Sequence, residues 1–158
     1  MATTDNAVVI DAPLDFVWER MNDIEDWPNL YTEYAKAEIL EREGNTIRFR
    51  LTTHPDPEYD GKQWTWVSER TMYPETYTTK SRRIDLETVP FAYMNIGWYF
   101  EPAEGGTKMR WVQDFAMKPG APATEEQATD YLNRNTAKQM SVIKERLEAE
   151  AKDRTAAR

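Results

Sequence analysis

The 158-residue chain contains no cysteine, which excludes disulfides, a thiolate nucleophile and any thiolate-ligated zinc or iron–sulfur site. It has a single histidine, His54, in the loop Thr53-His54-Pro55-Asp56-Pro57. That imidazole is too solitary for a Ser-His-Asp triad or a histidine-rich metal site, and it reads as a solvated loop residue. Six glycines are scattered along the chain and their one pair sits in a turn, so no phosphate cradle can be assembled from them. No apolar run approaches the roughly 20 residues of a membrane span. Cationic excess is also missing: 20 Lys and Arg against 28 Asp and Glu give a formal charge of −8, which excludes a nucleic-acid backbone as the expected partner. The carboxylates show no calcium or two-metal spacing and read as solvated faces, so neither metal nor cofactor is expected. Met1-Ala2-Thr3-Thr4-Asp5-Asn6 is neither basic nor apolar, so no secretory signal is read there and the cytoplasm is the expected compartment.

What the chain does have is aromatic surface with polar handles: six Trp and eight Tyr against five Phe. Such side chains suit the wall of a cavity better than a purely aliphatic core. The length fits one domain over 1–158, with a core from about 5 to 152 and a frayed tail. No internal repeat interrupts it.

Residues 7–10 read as a short strand, after which Asp11 is placed to cap, and Pro13 to open, a helix carrying Phe16, Val17 and Met21. A second short helix is expected over 26–31. Six strand-like segments follow, at 37–40, 46–52, 64–70, 77–84, 93–100 and 109–115, separated by turn chemistry at Glu43-Gly44-Asn45, Asp60-Gly61, Pro74-Glu75 and Glu104-Gly105-Gly106. Strands joined by short turns make an antiparallel meander. Thr124-Glu125-Glu126-Gln127 has the form of a capping box and starts a helix to about Lys152, with Ala128, Tyr131, Leu132, Asn135, Gln139, Val142, Ile143 and Leu147 along one side. The expected class is α+β, a curved antiparallel sheet around a long C-terminal helix, with a pocket between them.

Strand parity puts Trp64, Trp66, Ser68 and Arg70 on one face. Two tryptophans are costly to leave in water, so that face points inward and carries Ser68 and the guanidinium with it. For a generic sheet the simpler reading is that Arg70 turns out to solvent at the strand's end or pairs with a carboxylate, and periodicity alone does not overturn it. Trp27, Tyr31, Tyr34, Met94 and Trp98 are likewise more simply core than pocket. Asn135 and Gln139 either face the sheet and need hydrogen-bond partners, or sit at the rim of a narrower stripe; both readings stand.

Several ordered stretches carry a resemblance. They are Val8-Val9-Ile10-Asp11-Ala12-Pro13, residues 22–28 with Tyr31 and Tyr34, the Trp64-x-Trp66-Val67-Ser68-x-Arg70 strand, residues 90–95 with Trp98, residues 109–113 and residues 117–122. From about Val8 to Ile143 the chain resembles the monodomain bacterial type II polyketide aromatase/cyclases. The resemblance implies a helix-grip (START-like) fold with a deep pocket. It also implies a linear poly-β-ketone substrate delivered by an acyl carrier protein of a minimal polyketide synthase, with regiospecific first-ring aldol closure and dehydration. Carried over, Arg70 closes the catalytic strand, and Ser68, Trp64, Trp66, Tyr34, Tyr31, Trp27, Met94, Trp98 and Gln139 fall at pocket positions; Gln139 departs from the family's asparagine. Arginine does not readily give up its proton, so the proton transfers are assigned to Tyr34 or to water held by Ser68, and Asn135 joins the substrate-binding candidates from the stripe of the last helix. Such a carrier protein is acidic, and the densest basic run, Lys80-Ser81-Arg82-Arg83, reads either as its docking patch or as ordinary solvated charge. The rival function is a non-catalytic carrier of hydrophobic ligands or lipids. A scaffold that shapes a synthase complex without chemistry is the third.

Overall fold

The computed structural model describes residues 2–56, 61–87 and 89–156, with side chains given as far as 154. Seven strands, β1 Ala2–Ile10, β2 Tyr34–Glu43, β3 Thr46–Thr53, β4 Thr65–Tyr73, β5 Thr78–Arg83, β6 Phe91–Ala103 and β7 Gly106–Met117, form one sheet in the order β1-β7-β6-β5-β4-β3-β2. Every pairing is antiparallel. The six meander strands appear where turn residues bracket β-branched and aromatic runs, and β1 closes the far edge against β7. Of the predicted Asp60-Gly61 turn, Asp60 lies outside the described residues, while Gly61 has a positive φ of 66°. Between β1 and β2 lie the helix α1 Leu14–Met21, a 3₁₀ turn Ile24–Asp26 and the short helix α2 Trp27–Leu30. The long helix α3 Glu125–Ala156 packs chiefly on β1 and also meets α1 and α2. This is the helix-grip arrangement.

Two expectations need correcting at the first strand and helix. β1 starts at Ala2 rather than Ala7, because its polar early residues pair with β7 as far as Ala2 opposite Phe115. Asp11 does not cap α1. Pro13, extended at ψ 147°, is the N-cap, no side chain caps the helix, and the Asp11 amide instead donates to Glu148 Oε2 at 2.8 Å. A residue before proline is one removed from Asp11, and the chain turns so tightly there, with the Ala12 amide on the Ile10 carbonyl at 2.8 Å, that helix begins only after the ring. At α3 the capping box is reciprocal: Thr124 N–H donates to Gln127 Oε1 at 2.9 Å, and Gln127 N–H to Thr124 Oγ1 at 3.1 Å.

The face α3 presents to the sheet includes Ala128, Leu132, Thr136, Gln139, Met140, Ile143 and Leu147, all buried. Its C-terminal half is aliphatic and makes solid core with Ile10, Val17 and Met21. Its N-terminal half is more polar, and there the sheet and helix stand apart.

The turn between β1 and α1 is seated on the β6–β7 hairpin. Thr107 Oγ1 donates to the Ala12 carbonyl at 2.8 Å, and a Cβ on Gly106, whose φ is 136°, would stand 2.0 Å from the Ile10 carbonyl oxygen. Gly44, φ 57°, has open space beside it. Alanine at Gly44 should therefore cost only the backbone strain of a left-handed residue, about 1–2 kcal/mol. Alanine at Gly106 must also push β1 away and should cost clearly more. Urea denaturation of the two variants tests this ranking, and equal losses would contradict it.

Candidate functional site

A cavity of about 970 Å³ opens between the sheet, the α2–β2 segment and the polar half of α3. Its aromatic wall is a chain of touching rings. Trp27 and Tyr31 have centroids 5.2 Å apart, Tyr31 and Tyr34 4.7 Å, Tyr34 and Trp66 6.3 Å, and Trp98 stacks on Trp111 at 4.5 Å. The period of two in β4 turns Trp66, Ser68 and Arg70 inward, while Trp64, just before the strand, is half-buried at the same cavity. In β6 and β7 the same alternation presents Ile96, Trp98, Trp111 and Gln113.

Arg70 is fully buried, with an exposure of 0%, so the solvent-facing reading does not hold. Nor does it pair with a carboxylate. Nε and Nη2 donate to Asn22 Oδ1 at 3.1 and 2.9 Å, and Nη2 also reaches the Met21 carbonyl at 3.3 Å. Both acceptors lie at the C-terminus of α1, where the exposed carbonyl dipoles favour a cation. The guanidinium also lies 5.3 Å from the Trp27 ring centroid. Nη1 takes no part in these bonds. Desolvation pulls the Arg70 pKa down to about 10, with Tyr31 and Tyr34 acting weakly the other way. The group is thus charged at neutral pH in a site that offers it no formal counter-charge.

Arg83 is a cavity residue that the sequence reading placed only in the basic run Lys80-Ser81-Arg82-Arg83, which the strand divides between two faces. Parity in β5 buries Thr79 and Ser81 and turns Arg83 to the same side, while Lys80 and Arg82 face out. Arg82 meets Glu69 at 3.4 Å on the outer face. Arg83 lies over Trp66, 4.0 Å from its ring centroid, and 5.0 Å from that of Phe91. Its pKa too is lowered to about 10, by desolvation first, against Tyr34 and Glu33. The signal was available: one more step of the alternation that buries Ser81 reaches Arg83.

Glu33 was also missed, because it precedes β2 in an irregular segment that has no periodicity to read. Asn135 Nδ2 donates to its Oε2 at 2.8 Å, and the neighbouring Tyr34 phenol lies within electrostatic reach of the same carboxylate. Desolvation raises the Glu33 pKa, against the Asn135 hydrogen bond and the nearby Tyr34 and Arg83. Burial likewise pushes the Tyr31 and Tyr34 phenols well above their ordinary value.

The remaining expected residues divide. Asn135 and Gln139 both reach the cavity, but protein groups already engage their amides: Gln139 Nε2 donates to Thr32 Oγ1 at 2.8 Å and its Oε1 accepts from Thr32 N–H at 2.9 Å. Gln139 is therefore a clamp between α3 and the α2–β2 segment. Met94 is buried, yet it does not line the cavity; it sits opposite Phe115 in the core, and Phe91 and Ile96 on the same strand form that part of the wall. Three donors around the cavity are buried without a protein acceptor: Arg83 Nε, Ser81 Oγ and Trp111 Nε1.

The sequence over residues 10–140 matches the family described as "Polyketide cyclase / dehydrase and lipid transport". The chain belongs to that family. It is 52% identical over 145 residues, 92% of this chain and 93% of the other, to a Streptomyces cyaneus protein named as a candidate polyketide cyclase. It is 30% identical over 134 residues to the actinorhodin polyketide synthase bifunctional cyclase/dehydratase of Streptomyces coelicolor, matching 84% of this chain and 40% of that protein. The crystal structure of the Zhui aromatase/cyclase from Streptomyces sp. R1128 superposes with a TM-score of 0.78 over 98% of this chain and 95% of that one, at 21% identity, a likeness of fold. Within this family fold, the polar half of α3 and the two inward arginines are what distinguish the cavity from an ordinary core. Among the described residues no helix is long and apolar enough to cross a membrane.

Asn22 is the main acceptor for the Arg70 fork, so Asn22→Leu should destabilise the protein by about 1.5–3 kcal/mol, the worth of a hydrogen bond to a charged group. Asn22→Asp should act oppositely. The new carboxyl, held below its ordinary pKa by Arg70, contributes stability above about pH 4 that is lost as pH falls through its depressed value. Urea titrations across pH check both, and wild-type stability in the leucine variant would show that Asn22 is dispensable to the cation.

Proposed function

We propose that this cavity binds a linear poly-β-ketone, delivered by an acyl carrier protein of a minimal polyketide synthase, and directs first-ring aldol closure followed by dehydration to an aromatic ring. The observation that carries the reading is the set of buried donors without protein acceptors, Arg83 Nε, Ser81 Oγ and Trp111 Nε1, around a cavity that also holds the Arg70 cation. A poly-β-ketone carries an acceptor oxygen on every second carbon. It can satisfy spaced donors that a hydrocarbon chain would leave stranded, at a cost of about 1–3 kcal/mol each. The names of the relatives, polyketide cyclase and cyclase/dehydratase, support the same substrate class.

In this reading Arg70 donates from Nη1 to the ketone that becomes the aldol alkoxide. Closure joins a deprotonated α-carbon to that carbonyl carbon, and the negative charge moves to its oxygen, where a fixed donor is worth about 2.7–4 kcal/mol. Because Nε and Nη2 are held by α1, the donor is oriented before substrate arrives. Tyr34, whose raised pKa keeps it a phenol, supplies a proton, and Ser68 lies on the same strand face. Trp27, Tyr31, Trp64, Trp66 and Trp98 exclude water and confine the chain to a bend that pairs one carbanion with one carbonyl. Asn135 and Gln139 hold the wall in place. A lipid carrier uses the same fold, but a buried cation and stranded donors burden a site made for hydrocarbon.

The structure changes what substitution of Arg70 should do. Its fork ties β4 to α1, so Arg70→Ala removes a tether as well as a donor, and Arg70→Lys is the cleaner variant. The lysine keeps the charge without the planar fork. Added to a minimal polyketide synthase, Arg70→Lys should lower the yield of the correctly closed ring by about 10²-fold, the scale of one preorganised donor, with shunt products from spontaneous closure taking its place. Wild-type product from the folded lysine variant would show that cavity shape alone directs the reaction.

Tyr34→Phe should leave binding of the chain in place and slow dehydration by about 10²-fold, the lower range for a proton-transfer group, while Ser68→Ala has a smaller effect. Chromatography of the synthase products checks the pair, and dehydration as fast in the phenylalanine variant as in wild type would remove Tyr34 from the mechanism.

A further inference from the structure

Dehydration needs a group that accepts a proton from carbon, and most of the cavity wall cannot. Arg70 and Arg83 stay protonated at neutral pH even with their pKa values drawn down to about 10. Tyr31 and Tyr34 are held as phenols by burial. His54 is exposed at the mouth. Among the described residues the only carboxylates on the cavity are Glu33 and Asp56, and Asp56 sits beside His54 in the β3–β4 connection.

Glu33 has a different setting. It is half-buried, its Oε2 is fixed by Asn135 at 2.8 Å, and its carbonyl is pinned by the His54 amide at 2.9 Å, with Tyr34 the next residue in the chain and on the same cavity. The Arg83 cation lies within electrostatic reach of both Glu33 and Tyr34. An oriented carboxylate next to a buried phenol and within reach of a cation sets a proton acceptor beside a proton donor.

We propose that Glu33 is the general base of the dehydration step, acting as a pair with Tyr34; the inference rests on the polyketide cyclase reading of the cavity. In the cyclic β-hydroxyketone the Glu33 carboxylate takes the proton from the carbon between the ketone and the carbinol. The electron pair of that C–H bond forms the new C=C bond as the C–O bond breaks. The departing hydroxide takes the Tyr34 hydroxyl proton and leaves as water, and the proton on Glu33 then passes to the neighbouring Tyr34 oxygen. Both residues return to their starting states, and no further reagent is consumed. Desolvation raises the Glu33 pKa, and the Asn135 hydrogen bond and the Arg83 cation act against that rise, favouring the carboxylate form. Asn135 is a positioning residue that aims the carboxylate.

The groups that set the titration of Glu33 are Tyr34 from β2, Arg83 from β5, Asn135 from α3 and Asp56 from the β3–β4 connection. Desolvation dominates, so the dehydration rate should rise with pH through a value above the ordinary glutamate pKa of about 4.3. The test uses the full chain and a synthetic cyclic β-hydroxyketone, following the absorbance of its dehydrated product across pH. Glu33→Gln keeps an acceptor for Asn135 but cannot hold a proton. It should slow dehydration by about 10²-fold or more and abolish the rising limb, with binding of the ketone and thermal unfolding close to wild type. Glu33→Asp, which retains a carboxylate, should keep the limb at reduced rate and provides the comparison if the glutamine variant folds poorly. An unchanged rate and limb in a folded Glu33→Gln variant would overturn the assignment of Glu33 alone. A wild-type chain inactive both on this probe and with a minimal synthase would overturn the cyclase reading and the inference together.

Discussion

The arrangement depends on a guanidinium buried without a carboxylate. Removing Arg70 from water costs several kcal/mol, and a salt bridge would have been the ordinary compensation. Instead the cost is offset by an amide oxygen, a helix-terminal carbonyl and the face of a tryptophan, all contributed by the segment from Met21 to Trp27. That choice leaves the positive charge unneutralised inside the cavity. It also ties the end of α1 to the middle strands of the sheet, so the same contact that creates the electrostatic site fixes the wall in front of it.

The second cation is treated differently. Arg83 stacks between Trp66 and Phe91 and lies within reach of Glu33 and Tyr34, so its charge is partly shared with a carboxylate. Tyr34 is electrically coupled to both arginines. The cavity therefore has one cation with no carboxylate partner and another within reach of a carboxylate, with a phenol near both. A wall of rings supplies the low dielectric that makes both effects large. The polar half of α3 completes it: Asn135 and Gln139 occupy positions where aliphatic residues would have packed down on the sheet, and their amides hold Glu33 and Thr32 at a distance that keeps the space open.

Much of this was legible from residue order. Alternation in β4 put Trp66, Ser68 and Arg70 on one face and tryptophan marked that face as inward, but only the fold decided that the guanidinium at the strand's end is buried rather than turned to solvent. The capping box of α3 could be read because both of its partners lie within one helical turn. The same alternation, extended by two residues in β5, would have found Arg83, and in β7 would have found Trp111 and Gln113. Lys80-Ser81-Arg82-Arg83 reads as one run of charge, but a strand divides any run between two faces, leaving Lys80 and Arg82 outside and Arg83 at the cavity.

By itself the sequence determined the meander, the long capped helix, the inward face of β4 and the family, since each rests on local periodicity, local hydrogen bonding or ordered motifs. Only the tertiary structure decided what those faces meet. Glu33 joins Asn135 across 102 positions of chain, Gln139 joins Thr32 across 107, and Arg70 finds Asn22 rather than a carboxylate across 48. Met94 shows the same limit from the other side, since parity buries it but cannot say whether a buried side chain faces a cavity or a neighbour. Burial and period are properties of a single strand or helix. Partners and empty space are properties of how several of them pack, and no local pattern encodes that.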